Sequence, residues 1–471
     1  MSTLLATFVC ACGIAGLFYL DRDKTYRTSK ALWLPVVYLC LSWSRPVSFW
    51  LNITPPSGAN AQLEGSPFDT AIFLVLLTAA VGVLIHRKSK TGTLLAANWP
   101  ILLYFLFCLI SVAWSYHPSV SFKHWIRATS DLTMGLIVVT DARPVVALKR
   151  LISRVGFLLL PTSVLFIKYY GVLGRGYSPD GRQMNTGVTT DKNLLGVMVL
   201  VLSLCTLWQV ITLLRSQGQP DRRRRLSAQI ILLVFGVVLL DMANSVTSIA
   251  CFILGGGLIL IMGLHVIKRR PTRVHALCLV IVLLAAFAQL LGGQDAILHA
   301  LGRAPNLTGR TDIWAAVIPA VPNSVIGAGF ESFWIGPDVV KFQRAMVGWW
   351  HPENLNEAHN GYIEVYLNLG WVGVVLISLI LISGYRRAVA AFRLNPSVGS
   401  LMLAYVIVSA VYSITEAGFR SPNPMWIFML LAIVSSTGVT AGFFGERVTR
   451  DRAGSRSSFP MASAYRSGSV G

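Results

Sequence analysis

Long apolar runs dominate the pattern of the chain, and charged residues are concentrated between them. Each run is close to the ~20 residues that a helix needs to cross a bilayer. The weakest are 31–50, which Arg45 interrupts, and 129–141, which is short and contains Asp131. We predict an all-α polytopic membrane protein with about 12–13 transmembrane helices. The runs fall at 3–20, 31–50, 69–85, 97–114, 129–141, 154–170, 193–214, 228–243, 246–267, 275–292, 367–385, 399–415 and 424–441.

Composition supports this class. The 471 residues are 54% hydrophobic and 13% charged, against roughly 25% charged in an average soluble domain. This argues against a disordered chain or a soluble enzyme. The net charge of +20 would suggest nucleic-acid binding in a soluble protein, but here it reports topology, and we expect no nucleic-acid partner. All seven cysteines lie in apolar runs, so no disulfide framework is expected.

The distribution of basic residues predicts an orientation. Seven segments hold 28 of the 40 Lys and Arg residues but few acids, and by the positive-inside rule they are cytoplasmic. We therefore expect a multi-pass membrane protein with its N-terminus outside and its C-terminal tail inside. The segments are 21–30, 86–96, 142–154, 215–227, 268–274, 386–398 and 442–471.

The chain divides into four parts on this reading. Helices 1–10 occupy residues 1–292, a large periplasmic loop occupies 293–366, helices 11–13 occupy 367–441, and 442–471 form a disordered cytoplasmic tail. Loops of that length are usually functional, so the candidate chemistry lies in the outer loops. Asp241 and Glu416, near helix ends, are explained by solvation at the interface.

Arg310 is the first candidate, in a stretch at 308–321 that has helical apolar spacing and Thr308 as a plausible N-cap. A guanidinium beside the free N–H groups of a helix start is suited to a phosphate, although pairing with Asp312 is equally consistent. Further along, 327–334 reads as a glycine turn and not as a nucleotide fingerprint. Its Trp334, with Trp349 and Trp350, suits the membrane interface better than sugar stacking.

The segment 356–373 is the sharpest constellation. Asn360 and Glu364 are four residues apart on one helix face, and His359 lies at the mouth of that helix. A histidine there can accept a proton near neutral pH, although a structural role is the commoner one. In the second outer loop, 171–192, Arg175 and Arg182 could hold a diphosphate. Asp191 is a plausible N-cap, and Lys192 and Asn193 would face the same compartment as His359.

These residues resemble a family. G-R-T-D-I-W at 309–314, G-A-G-F at 327–330 and H-N-G-Y-I-E at 359–364, with D-K-N-L-L-G at 191–196 upstream, are similar in order to the O-antigen ligase and Wzy-type polymerase superfamily. The resemblance implies a protein of the bacterial inner membrane with a type C glycosyltransferase-like fold and a periplasmic large loop. It also implies transfer of a glycan from undecaprenyl diphosphate to an acceptor hydroxyl, on lipid A–core in ligases or another glycan in polymerases.

The resemblance carries roles onto named residues. The family's loop histidine corresponds to His359 and its loop arginines to Arg310 and Arg182, which would hold the diphosphate while His359 orients or deprotonates the acceptor. We expect no cofactor and no metal. Membrane lipids are expected partners. The predicted catalytic residues are His359 and Arg310, and the predicted donor- and glycan-binding residues are Arg175, Arg182, Lys192, Asn193, Arg344, Asn360 and Glu364.

Three alternatives stay open. A polymerase is the nearest, although neither Arg182 nor Arg310 is followed by glycine eleven positions on, as in some polymerases. A polysaccharide or lipid transporter would show symmetric halves and polar residues at the bilayer midplane. A membrane scaffold would leave the ordered motifs without a reason.

Overall fold

A computed structural model describes residues 2–23, 26–53, 66–177, 181–216, 221–269, 272–277, 279–280, 283, 308–337, 339 and 356–444. Within these ranges the protein is almost entirely helical, and one two-stranded antiparallel sheet interrupts the pattern. The elements are α1 Thr3–Leu20, α2 Trp33–Ser42, α3 Val47–Trp50, α4 Pro67–His86, α5 Lys88–Ala97, α6 Trp99–Ser111, α7 Pro118–Val139, α8 Pro144–Tyr169, α9 Gly171–Gly174, β1 Arg175–Tyr177, β2 Gln183–Asn185, α10 Lys192–Arg215, α11 Arg222–Ala243, α12 Val246–Met262, α13 His265–Arg269, α14 Thr308–Val317, α15 Gly361–Leu394, α16 Pro396–Thr415 and α17 Pro424–Thr440.

The predicted class, an all-α polytopic membrane protein, is confirmed. In the part of the chain that the structure describes, seven helices are long and apolar enough to cross a membrane, and α5 with the helical stretch Trp99–Trp114 forms an eighth span bent by 84°. Three shorter apolar helices accompany them. Every predicted run overlaps a helix except 275–292, which lies largely outside the described residues, and 31–50 is divided between α2 and α3. Within the described residues the seven or eight spans are fewer than the 12–13 predicted.

Two boundaries differ from the sequence prediction. Helix α7 begins at Pro118, well before the predicted start at 129, because its first half is polar and escapes a search for apolar runs. Helix α15 begins at Gly361, inside the predicted loop 293–366, where the Asn360 side chain accepts hydrogen bonds from the N–H groups of Tyr362 and Ile363. The site motif therefore forms the start of a membrane helix.

Helix α10 lies at the centre of the bundle, where it packs with α11, α12 and α16. In its most apolar stretch, 89% of the residues are buried. Helices α1 and α4 lie at the periphery, and only 11% of the residues in their apolar stretches are buried. Their outward side chains are apolar, as expected for a surface that faces lipid.

Helix α15 is broken at Gly370, whose φ of 61° and ψ of −162° are not helical. The backbone groups released by the break bond to the segment at 324–329. The N–H groups of Trp371 and Val372 donate to the carbonyls of Ser324 and Val325, and the carbonyls of 367 and 368 accept from the N–H groups of 328 and 329. Backbone groups freed within a membrane helix must be satisfied in this way, so the break docks the segment 324–329 onto the bundle.

Candidate active site

A polar cavity of about 640 Å³ opens at one end of the bundle. Its walls are the beginnings of α7 and α10, the connection between α16 and α17, and the segment that leads into α15. Residues far apart in sequence therefore face one space. The ionisable side chains that line it are His124, Arg127, Asp191, Lys192, Glu331, Glu357, His359, Glu416 and Arg420.

His359 lies on the cavity wall between two carboxylates. Its Nδ1 is 2.8 Å from Oε1 of Glu357 and 3.5 Å from Oε2 of Glu416. Burial opposes protonation of the imidazole, but the two carboxylates outweigh it and raise the pKa of His359 to about 10. His359 is therefore an imidazolium at neutral pH. Burial alone would raise the pKa of Glu357, but the cation beside it holds that pKa below its ordinary value.

The backbone at His359 is in the left-handed region, with a φ of 49°. Glu331, on the same cavity, has a φ of 52°. Non-glycine residues rarely adopt this conformation, and such strain is concentrated at functional sites. The strain at both positions supports a functional role for this cavity.

Glu416 links the cavity to Arg310. It is the C-cap of α16 and only 5% exposed, and its Oε1 accepts a hydrogen bond from Nη2 of Arg310 at 3.1 Å. Arg310 also donates to the backbone carbonyl of Thr415. The guanidinium thus lies behind Glu416, where it compensates that carboxylate. The interpretation of Glu416 as solvated at an interface is wrong, because this acid is buried.

Arg420 contributes a second cation from the connection between α16 and α17. Its Nε donates to Oε2 of Glu331 at 2.8 Å, and Nη1 donates to the carbonyl of Asn356 at 3.2 Å. The charge of Glu331 raises the pKa of Arg420 further above its ordinary value. Next to it, Ser421 donates to Asp131, which also accepts from the Tyr38 hydroxyl, each at 2.7 Å. These bonds anchor the connection to α7.

Asn360 and Glu364 fix the position of the backbone that carries Glu357 and His359. Asn360 caps α15 and donates through Nδ2 to the carbonyl of Ile414 at 2.9 Å, tying α15 to α16. Glu364 is buried and accepts hydrogen bonds from the Trp334 indole, at 2.9 and 3.1 Å, and from the Ala358 N–H. Asn360 precedes α15 as its N-cap and bonds to α16, so it does not share a helix face with Glu364 as predicted. The bond from Ala358 to Glu364 fixes the segment that carries Glu357 and His359. Trp334 has its indole on Glu364, so neither of its predicted roles is needed to explain it.

The structure separates the remaining predicted residues. Lys192 and Asn193 line the cavity, and Asp191 is the N-cap of α10, accepting from the N–H groups of 193 and 194. Burial raises the pKa of Asp191. Arg175 and Arg182 do not line the cavity: Arg175 donates to the carbonyl of Ile167 at 2.8 Å, and Arg182 is exposed.

Some predicted residues have no structural test. Arg344, Trp349 and Trp350 lie outside the described residues, as does the Asp312 side chain, so the proposed pairing of Asp312 with Arg310 is untested.

Sequence reasoning missed Arg420, Glu416, Glu357 and Arg127. One signal was available, since Glu416 and Arg420 are opposite charges four residues apart in a short connection between two apolar helices. Such a connection needs few polar residues, and a charge pair there indicates a polar surface. Arg127 was missed because it lies in the polar first half of α7, outside the predicted apolar run.

Glu357, His359 and Glu416 also form a group of metal-ligand type. Their potential ligand atoms all lie within 4.8 Å of one another. In this structure Arg310 and the imidazolium already compensate the carboxylates. A metal would have to displace the proton of His359 before it could bind there.

The helices and the polar cavity define a multi-pass membrane protein with a buried ionic site. The family model described as O-antigen ligase matches residues 230–378, a segment that contains Arg310 and His359 and ends before Glu416. The chain is also 27% identical over 323 residues to the exopolysaccharide production protein ExoQ of Rhizobium meliloti (strain 1021), which covers 64% of this chain and 68% of that protein. The chain is therefore similar to the O-antigen ligase family in the segment that carries Arg310 and His359, and to a protein of exopolysaccharide production over most of its length.

Proposed function

We propose that the protein transfers a glycan from undecaprenyl diphosphate to an acceptor hydroxyl at the periplasmic end of its helix bundle. The observation that carries this proposal is one cavity in which a carboxylate–imidazolium pair faces several cations. Glu357 and His359 provide the pair, and Arg127, Lys192 and Arg420 provide the cations. Glycosyl transfer from a lipid diphosphate needs both a proton acceptor and positive charge for the departing diphosphate.

The cations of the cavity are better placed for the diphosphate than the arginines predicted from sequence. None of the three predicted arginines, Arg175, Arg182 and Arg310, lines the cavity. Arg420 also pairs with an acid, Glu331, but it does line the cavity. Arg127, Lys192 and Arg420 instead approach it from three separate elements. Guanidinium groups can bind two phosphate oxygens at once. In this proposal they hold the diphosphate, and Arg310 positions Glu416.

The chemistry follows from the charge state of His359. An imidazolium cannot accept a proton, so the acceptor hydroxyl gives its proton to the Glu357 carboxylate as its oxygen bonds to the anomeric carbon. The bond from that carbon to the diphosphate oxygen breaks, and its electron pair leaves with the diphosphate. His359 orients the acceptor and offsets the negative charge that develops. The donor bond is already activated, so no further energy source is required, and the reaction is proposed to be metal-independent.

Genetic complementation tests the proposal. In a deletion strain, the wild type and an Arg393→Gln control, altered at an exposed residue at the opposite end of α15, are expected to restore the surface glycan. His359→Gln and Arg420→Gln, at equal protein levels, are expected to fail. Restoration by both variants would refute the site.

An exopolysaccharide polymerase is the second candidate, because the similarity to ExoQ spans most of both chains. The glycan product separates the two. A deletion strain that accumulates long lipid-linked glycan lacks a ligase, whereas one that makes only single repeat units lacks a polymerase.

A further inference from the structure

A second cavity, of about 500 Å³, lies at the other end of the bundle. Its wall is formed by residues 22–23, 26–30 and Trp33, which follow α1, and by Arg150 and Arg154 in the first half of α8. The far end of α8, at Tyr169, leads into the sheet whose Met184 lines the polar cavity. From Arg150 to Tyr169 this helix rises about 28 Å at 1.5 Å per residue. The two cavities are thus separated by about the thickness of the hydrocarbon core of a bilayer, which is ~30 Å.

The second cavity is strongly basic. Five of its ten lining residues are cations, and the single acid is Asp23. That carboxylate already pairs with Arg225 at 3.1 Å, which lies outside the lining set. The remaining positive charge is therefore uncompensated by this wall. The five cations are Arg22, Arg27, Lys30, Arg150 and Arg154.

Two of the arginines are open to a ligand. Arg150 holds the wall together, since it donates to the Thr28 hydroxyl at 2.9 Å and to the carbonyls of residues 23 and 26. Arg154 stacks on the Trp33 ring at 4.3 Å from its centroid. In the described part of the chain, no carboxylate lies within ion-pair distance of Arg27 or Arg154. Their guanidinium groups remain available to an anion that enters the cavity.

We propose that this cavity binds the phosphate of an anionic phospholipid. Arginine matches the geometry of phosphate oxygens, and basic pockets between membrane helices bind acidic lipid headgroups. Trp33 is 46% exposed beside the cavity, and Val37, one helical turn along α2, is 41% exposed. Together they continue the pocket as an apolar strip on which an acyl chain can lie. A soluble phosphate compound would make no use of that strip.

Native mass spectrometry of the purified full chain, titrated with phosphatidylglycerol or phosphatidylcholine, tests this proposal. The wild type is expected to retain phosphatidylglycerol preferentially. The double variant Arg27→Gln/Arg154→Gln is expected to bind it about tenfold or more weakly. The control Arg223→Gln removes an exposed arginine of α11 that does not line the cavity, and it is expected to bind like the wild type.

Three results would overturn the proposal. These are unchanged binding in the double variant, equal retention of phosphatidylcholine, or displacement of the lipid by glycerol phosphate at a matching concentration. The last result would identify a soluble phosphate ligand. Should the double variant lose its monodisperse elution profile, Arg27→Gln alone is measured. This residue is exposed in a connecting segment, and it is expected to give an intermediate loss, whereas wild-type binding would contradict the site.

Discussion

His359 carries a positive charge because two carboxylates surround it, and this has a consequence for pH dependence. Since kcat/KM reports groups of the free enzyme, it is expected to show no inflection near 6.5, the ordinary histidine value. It should instead fall as pH rises through about 10, the pKa of His359 in the folded protein. A rate that rises with pH through about 6.5 would show that the imidazole acts as a base.

Protein stability should follow the same linkage. The folded pKa of His359 lies above the unfolded one, so its contribution to stability is complete below pH 6.5 and is lost as pH rises toward 10. The difference in melting temperature between the wild type and His359→Gln is expected to shrink over that interval.

The group of Glu357, His359 and Glu416 gives a prediction for metal removal. Its negative charges are already compensated by Arg310 and by the imidazolium. We expect chelation with EDTA to leave glycan transfer unchanged, with no metal bound stoichiometrically in elemental analysis. Loss of transfer that is restored by one divalent cation would show that these residues are metal ligands.

The site residues were predictable to different degrees, for physical reasons. His359 and Asn360 lie at the start of a helix, and the sequence indicates this helix by the apolar run that follows them. Glu416 lies in apolar sequence, and its role depends on Arg310, which is 106 residues away in the chain. Arg175 and Arg182 were predicted to bind the diphosphate because they are cations in a predicted outer loop. Charge alone does not determine where a guanidinium points. Contacts between distant segments decided the site.

At the level of elements, the break in α15 is the feature on which the site most depends. A Cβ atom added at Gly370 would lie 2.3 Å from the carbonyl group of Val325, and the φ of 61° disfavours any other residue. Gly370→Ala is therefore expected to detach the segment 324–329 from α15 and to destabilise the protein.

A shift of the main elution peak to aggregate, or a fall of several degrees in melting temperature, measures this effect. The matched control is Gly257→Ala in α12, where an added Cβ would meet nothing within 4 Å. Equal behaviour of the two variants would contradict the role of the break.

Helices were the most predictable elements. Apolar runs located them because the membrane requires such runs, whereas the polar half of α7 and the break at Gly370 follow from tertiary contacts. The periodicity of apolar residues cannot reveal the break at Gly370, because the backbone groups that it frees bond to a segment about 45 residues earlier in the chain.

At the scale of the whole molecule, the two cavities are proposed to face opposite sides of the membrane. Arg182, near the polar cavity, and Arg223, at the start of α11, are both exposed and lie toward opposite ends. In intact cells, a membrane-impermeant maleimide is expected to label Arg182→Cys above the background of the parent chain and to leave Arg223→Cys unlabelled. The reverse pattern would invert the proposed orientation.

Glycan transfer in the polar cavity can be measured with purified protein in lipid nanodiscs. With an undecaprenyl-diphosphate-linked glycan and its acceptor, the wild type is expected to release undecaprenyl diphosphate and form the product. His359→Gln and Arg420→Gln should slow transfer by ~10²–10³-fold, while the control His86→Gln, at an exposed position, should not. Wild-type rates in both cavity variants would contradict the account.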